Sequence, residues 1–178
     1  GENAIAVASG ANALVSAAAV PEDMLRRGDS LLLQMEVPGA ENAALIARAK
    51  AKGMRVLLNL APAAPVEAQV LDRLDRLILN HGEARQLTGS GDARDAARAL
   101  VARHGFACIV TLGKDGCVAV SRAGAWLVPT LPITPLDSSG AGDAFVGVFA
   151  ASEEQGLDFT QALRRASVAG ALACLVSG

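Results

Sequence analysis

Three cysteines and two histidines in 178 residues are poor material for a structural zinc site, and neither C-x-x-C nor H-E-x-x-H spacing occurs. An odd cysteine count among apolar neighbours reads as buried, reduced thiols of a cytoplasmic protein rather than a disulfide framework. Cys108 and Cys117 flank an expected hairpin turn and are the one pair that turn would make neighbours. His104, just before Gly105, reads as the last residue of a helix. No apolar run approaches the ~18–20 residues that a membrane-spanning helix needs. The apolar fraction of 52% is largely alanine, a helix former. No signal-peptide pattern opens the chain. A net charge of −2, with cations scattered along helices, gives no electrostatic reason to expect nucleic acid. The G-x-G-x-x-G turn of dinucleotide-binding domains and the G-x-x-x-x-G-K-[ST] loop of Walker-type NTPases are both absent, which disfavours those two nucleotide-binding classes.

What is present alternates. Strands are predicted at 5–8, 30–35, 55–60, 76–79, 108–112, 117–121 and 126–129, with helices at 21–27, 40–52, 65–73, 82–87, 93–104, 141–154 and 159–175. Leu31-Leu32-Leu33 and Val56-Leu57-Leu58 are apolar throughout, as suits strands covered on both faces of a parallel sheet. Pro21 and Pro65 suit first helical turns, Gly53 and Gly105 suit helix ends, and Asp92 suits a cap. Lys114-Asp115-Gly116 reads as a hairpin turn that adds an antiparallel part. The fold class is α/β: a doubly wound, mostly parallel sheet flanked by helices.

One stretch carries chemistry. Gly140-Ala141-Gly142 opens directly into an apolar helical pattern, with Asp143 at the junction. Unpartnered N–H groups and the dipole make a helix N-terminus an anion site. Glycines let the backbone approach the anion closely. A carboxylate beside such a site would repel a phosphate, but it is well placed to take a proton from a hydroxyl that attacks that phosphate. The plainer alternative is a helix capped by Asp143 with a glycine-rich lead-in. In open α/β sheets ligands bind beyond the carboxyl ends of the strands. Glu36, Asn59, Asn80 and Thr111 each close a predicted strand.

Asp137-Ser138-Ser139-Gly140-Ala141-Gly142-Asp143 resembles the D-T-x-G-A-G-D signature of the ribokinase family of carbohydrate kinases. Further segments fall in that family's order. Gly1-Glu2-Asn3 and Gly10-Ala11-Asn12-Ala13 are similar to G-E-N and G-A-N-A, and Leu33-Gln34-Met35-Glu36 to L-Q-L-E. Asn59-Leu60-Ala61-Pro62-Ala63 is similar to N-P-A-P-A. Asn80-His81-Gly82-Glu83 with Leu87-Thr88-Gly89 resembles N-E-x-E and L-T-G, and Thr111-Leu112-Gly113 with Gly116 resembles T-L-G-x-x-G. The resemblance begins part-way through the family pattern. It implies one ribokinase-like domain over residues 1–178, truncated at both ends, with the N-terminal part, its G-G-x-x-x-N motif and its lid missing.

The resemblance implies ATP-dependent phosphorylation of a sugar hydroxyl, D-ribose to D-ribose 5-phosphate first among the candidates. Asp143 would be the base and would touch the sugar; Gly140, Ala141 and Gly142 would form the anion hole. Glu36 would bind sugar hydroxyls. Asn80, Thr111, Gly113, Gly116, Gly142 and Ser167 would line the nucleotide site, Ser167 standing where the family often carries Asn or His. Glu83 would orient Mg2+ through water, and Asp137 and Ser139 would belong to a K+ loop. His81-Gly82, Ser167 and Leu175-Val176 depart from the pattern. A kinase of another sugar or a nucleoside, or an inactive nucleotide-binding fragment, stays open. No nucleic-acid or membrane partner is expected. Family dimers often pair through the lid, so the first strands here would leave an unpaired edge.

Overall fold

The computed structural model describes residues 9–177; the predicted strand at 5–8 and the Gly1-Glu2-Asn3 segment lie outside them. Three short 3-10 turns precede β1 (Ser30–Leu33), α1 (Gly39–Ala51), β2 (Arg55–Asn59), α2 (Ala68–Leu71), β3 (Arg76–Asn80), α3 (His81–Thr88) and α4 (Ala93–His104). Then come β4 (Ala107–Thr111), β5 (Cys117–Ser121), β6 (Gly124–Val128), α5 (Ala141–Glu154) and α6 (Phe159–Ala173).

The six strands lie side by side in chain order. β1 to β4 are parallel, and β5 and β6 extend the sheet as antiparallel neighbours. Successive residues of a strand face opposite ways, which explains the apolar runs. Val56, Leu58, Leu77, Leu79 and Val110 pack on one face against Ile46 of α1 and the Ala96–Leu100 side of α4. Leu57, Ile78 and Ile109 pack on the other against Phe145, Phe149 and Leu163 of the α5–α6 pair. Helices therefore cover both faces, as the sequence implies. Among the described residues the parallel crossovers all advance in one direction, and the second face is covered by the two helices that follow the hairpin. β1 is an edge strand among these residues, and its Leu32 is 39% exposed.

The helix ends follow local chemistry. Asp92 caps α4 by accepting the Asp95 N–H at 2.8 Å, and Gly105 ends that helix at φ +85°. Asp158 and Gln161 form a capping box at α6. Two predicted helices shrink. Residues 21–27 contain only a 3-10 turn, Glu22–Met24, because Leu25 leaves the helical region at φ −92° and ψ 86° and is buried in the core. Of 65–73 only Ala68–Leu71 is helical, since Glu67 is extended at ψ 140° and Val66 packs on the core from the extended segment. Cys108 and Cys117 are not neighbours. Cys108 pairs in register with Val120 and Cys117 with Thr111, and the two side chains enter opposite core layers. Both are free, and burial pushes their thiols up to about 12 and about 11. Among the described residues no helix is long and apolar enough to cross a membrane.

Candidate active site

All four parallel strands end at the same edge of the sheet, and the predicted site residues gather there. Gly140 precedes α5 with a φ of +71°, in the left-handed region, and having no side chain it offers the helix no side-chain cap. Asp143, expected as a cap under the plainer reading, is instead the third residue of the helix. It stands exposed in the first turn, and no hydrogen bond or ion pair to it is found among the described residues. The Ala141 N–H donates to Ser138 O at 3.3 Å. That bond leaves Gly142 and Asp143 as the first-turn N–H groups without a protein acceptor among the described residues. The loop before them is fixed from both sides: Ser139 N–H donates to Asp137 Oδ1 at 2.9 Å, and Leu136 N–H donates to Cys174 O at 2.8 Å. α6 crosses close to this turn. A Cβ on Gly170 would stand 3.1 Å from Ala141 O.

The hairpin between β4 and β5 forms the facing wall. Gly113 and Gly116 both have positive φ, +58° and +83°. A Cβ on Gly116 would lie 2.0 Å from Val128 O, so β6 can approach only a glycine there. Between hairpin, α5 and α6 lies a cleft of about 490 Å³, whose lining includes Thr111, Gly113, Gly116, Ala141, Gly142 and Ser167. Six residues singled out from sequence thus share one cavity. Its remaining wall was not foreseen. Thr130, Leu131, Pro132, Ile133 and Pro135 line it after β6, with Phe145 and Cys174. Thr130 Oγ1 donates to Ser167 O at 2.7 Å and ties this segment to α6. The sequence signal was faint: apolar residues interspersed with prolines, with no period.

Asn80 lies in an adjoining cleft of about 450 Å³ that shares Thr111 and Gly113. Asn80 and Glu83 form a capping box: Asn80 Oδ1 accepts the Glu83 N–H at 2.9 Å, and Glu83 Oε2 accepts the Asn80 N–H at 2.7 Å. Desolvation raises the Glu83 carboxyl above its ordinary 4.5, against the lowering effect of the Asn80 N–H. Glu83 Oε1 and Asn80 Nδ2 lie outside the box. Glu36 is exposed beyond the end of β1, two strands from β3, and lines neither cleft. Gly140, Asp137, Ser139 and Asp143 adjoin the larger cleft without lining it, and Glu83 lines neither cleft. Among the described residues no three His, Cys, Asp or Glu side chains converge as a metal cage.

The sequence pattern of the pfkB family carbohydrate kinases matches residues 1–178. The chain belongs to that family. Ribokinase of Haemophilus influenzae is 35% identical to this pfkB-family chain over 99% of it and 60% of the relative, and deoxyribokinase of Salmonella typhi is 34% identical over 92% and 56%. A structure of Arabidopsis thaliana ribokinase complexed with ribose and ATP matches all of the chain and 61% of its own, with TM-score 0.86 and 27% identity. The chain thus spans about three fifths of these relatives.

Proposed function

We propose that the protein transfers the γ-phosphoryl group of ATP to a hydroxyl of a small sugar, with D-ribose first among the candidates. The observation that carries this reading is the unpaired Asp143 carboxylate in the first turn of α5, beside open N–H groups and next in the chain to Gly142, which lines the cleft. Asp143 accepts the proton of the sugar hydroxyl as that oxygen bonds to the γ-phosphorus. The bond from that phosphorus to the bridging oxygen breaks, and ADP leaves with the bridging oxygen. The Gly142 and Asp143 N–H groups then face the charge that develops on the transferring group. The Gly116 hairpin and Ser167 border the nucleotide, and the apolar 131–133 wall suits a flat base. Glu36 accepts hydroxyl hydrogen bonds at the sugar side.

Mg2+ held with the ATP phosphates would supply positive charge against the transferring group. The donors present, Glu83 Oε1 and the Asn80 amide, suit a metal that keeps most of its waters rather than one held by a protein cage. The Asp137–Ser139 loop would supply oxygens to K+. Consumption of ATP fits a cytoplasmic enzyme. The deoxyribokinase relative supports 2-deoxyribose as a second acceptor.

The test is ADP release by the full-length gene product with Mg-ATP and K+ over a panel of ribose, 2-deoxyribose, fructose and nucleosides. Release that depends on one of these sugars is expected. ATP binding without release on any acceptor would make this a nucleotide-binding protein. Equal rates in K+ and Na+ would remove the K+ loop.

A further inference from the structure

α1 lays the stripe Asn42, Ile46 and Ala49 against the sheet, all buried. An amide in that stripe breaks an otherwise apolar pattern, and burial of an amide is unfavourable unless it is hydrogen-bonded. Asn42, 5% exposed, donates from Nδ2 to Gln34 O at 2.7 Å. Gln34 lies just past β1, whose pairing with β2 stops at Leu33 and Leu58. Beyond that point three bonds that are not ladder bonds shape the chain. Asn42 holds the Gln34 carbonyl, the Gln34 side chain accepts the Glu36 N–H, and the Met35 N–H donates to Ala61 O at 3.0 Å. The neighbouring Glu41 works outwards, its Oε2 accepting the Ala17 N–H at 2.7 Å. The first turn of α1 therefore clasps the segment that carries Glu36 and the one around Ala17.

We propose that Asn42 is a positioning residue for the sugar side of the reaction, acting through Gln34 on Glu36. The inference rests on the kinase reading above. It makes a directional claim: loss of the Asn42 donor loosens the sugar end of the site and leaves the nucleotide cleft at the end of β4, three strands away, as it was. Asn42→Leu removes the amide and keeps an apolar stripe. Asn42→Asp keeps the shape and replaces the donor by an acceptor facing a carbonyl.

Steady-state kinetics of the full-length protein test it, with melting temperatures measured alongside. Both variants should raise the sugar KM about threefold to tenfold, the weight of one buried hydrogen bond, with the ATP KM unchanged within about twofold. Ile46→Val in the same stripe is the control and should lower the melting temperature without separating the two KM values. A loss of stability with an unchanged sugar KM, an equal rise in both KM values, or failure of both variants to fold would overturn the inference and leave Asn42 a core residue. Absence of sugar-dependent turnover in the wild type would instead overturn the kinase reading, and this inference with it.

Discussion

At the amino edge of the sheet charges around a cleft of about 560 Å³ are paired with one another; at the carboxyl edge Asp143 stands unpaired beside one. Asp75 at the start of β3 takes Lys50 at 2.8 Å and the Val56 N–H at 2.7 Å, and His104 Nδ1 lies 2.6 Å from Asp72. Arg76 bonds Glu153 at 2.8 Å and lies over the Phe159 ring, while Arg55 faces Glu154 at 3.7 Å. These contacts tie α1 and α5 to the strand beginnings and α4 to the end of α2. At the opposite edge Asp143 has no such partner among the described residues, and the first turn of α5 keeps N–H groups unused. Similar residue types thus hold the fold where they are paired and are available for chemistry where they are not. The contrast accords with the rule that open α/β sheets bind ligands beyond the strand ends.

The contrast breaks most sharply at Asp143. Asp143→Asn should lower kcat by about 10²–10⁴-fold, the weight of general-base catalysis, with an unchanged melting temperature. The amino edge should behave the other way. Arg76→Leu leaves the Glu153 carboxylate, 7% exposed, without its partner. Chemical denaturation should show a loss of about 2–4 kcal/mol, lower than for a fully buried pair because Arg76 is partly exposed, while the folded variant keeps its kcat.

Gly142→Val should reduce kcat about tenfold and change the ATP KM less, because the N–H groups act on charge that develops during transfer. An effect on ATP KM alone would make the turn a nucleotide grip.

Glu83→Gln gives the smallest effect. Glutamine retains the capping bond to Asn80 N–H, so stability should change by less than about 0.5 kcal/mol near neutral pH. The sign of the pH effect is fixed by the raised carboxyl. The folded protein holds its proton more tightly than the unfolded chain, so this group's contribution is greatest below the ordinary 4.5 and falls as pH rises through the raised folded value. The Gln variant should lose that slope in urea midpoints measured against pH. If Glu83 orients Mg2+, the variant should also need more Mg2+ for half-maximal rate.

Much of the fold was legible because local signals agreed. β5, α4 and α5 coincide with their predicted ranges, each bounded by an unambiguous glycine, cap or turn. β1 ends two residues early, since Gln34 and Met35 leave the ladder for bonds to Asn42 and Ala61, and no periodicity reports a bond from a helix made later in the chain. The proline rule failed at Pro65, where Val66 packs on the core and Glu67 stays extended, and gave only a single 3-10 turn after Pro21. In the cleft, glycines and hydroxyl residues at strand ends could be read, because their conformational need is local. The 131–135 wall could not, since its burial depends on α6 folding against it. The sequence left Asn80 and Glu83 open between cap and ligand; the structure shows the cap, and Glu83 Oε1 stays outside it.

The most direct test of the central claim measures ATP binding and ribose-dependent ADP release together, on full-length wild type and Asp143→Asn. The account predicts equal ATP affinity in the two proteins and ribose-dependent turnover only in the wild type. Turnover in Asp143→Asn at the wild-type rate would contradict it.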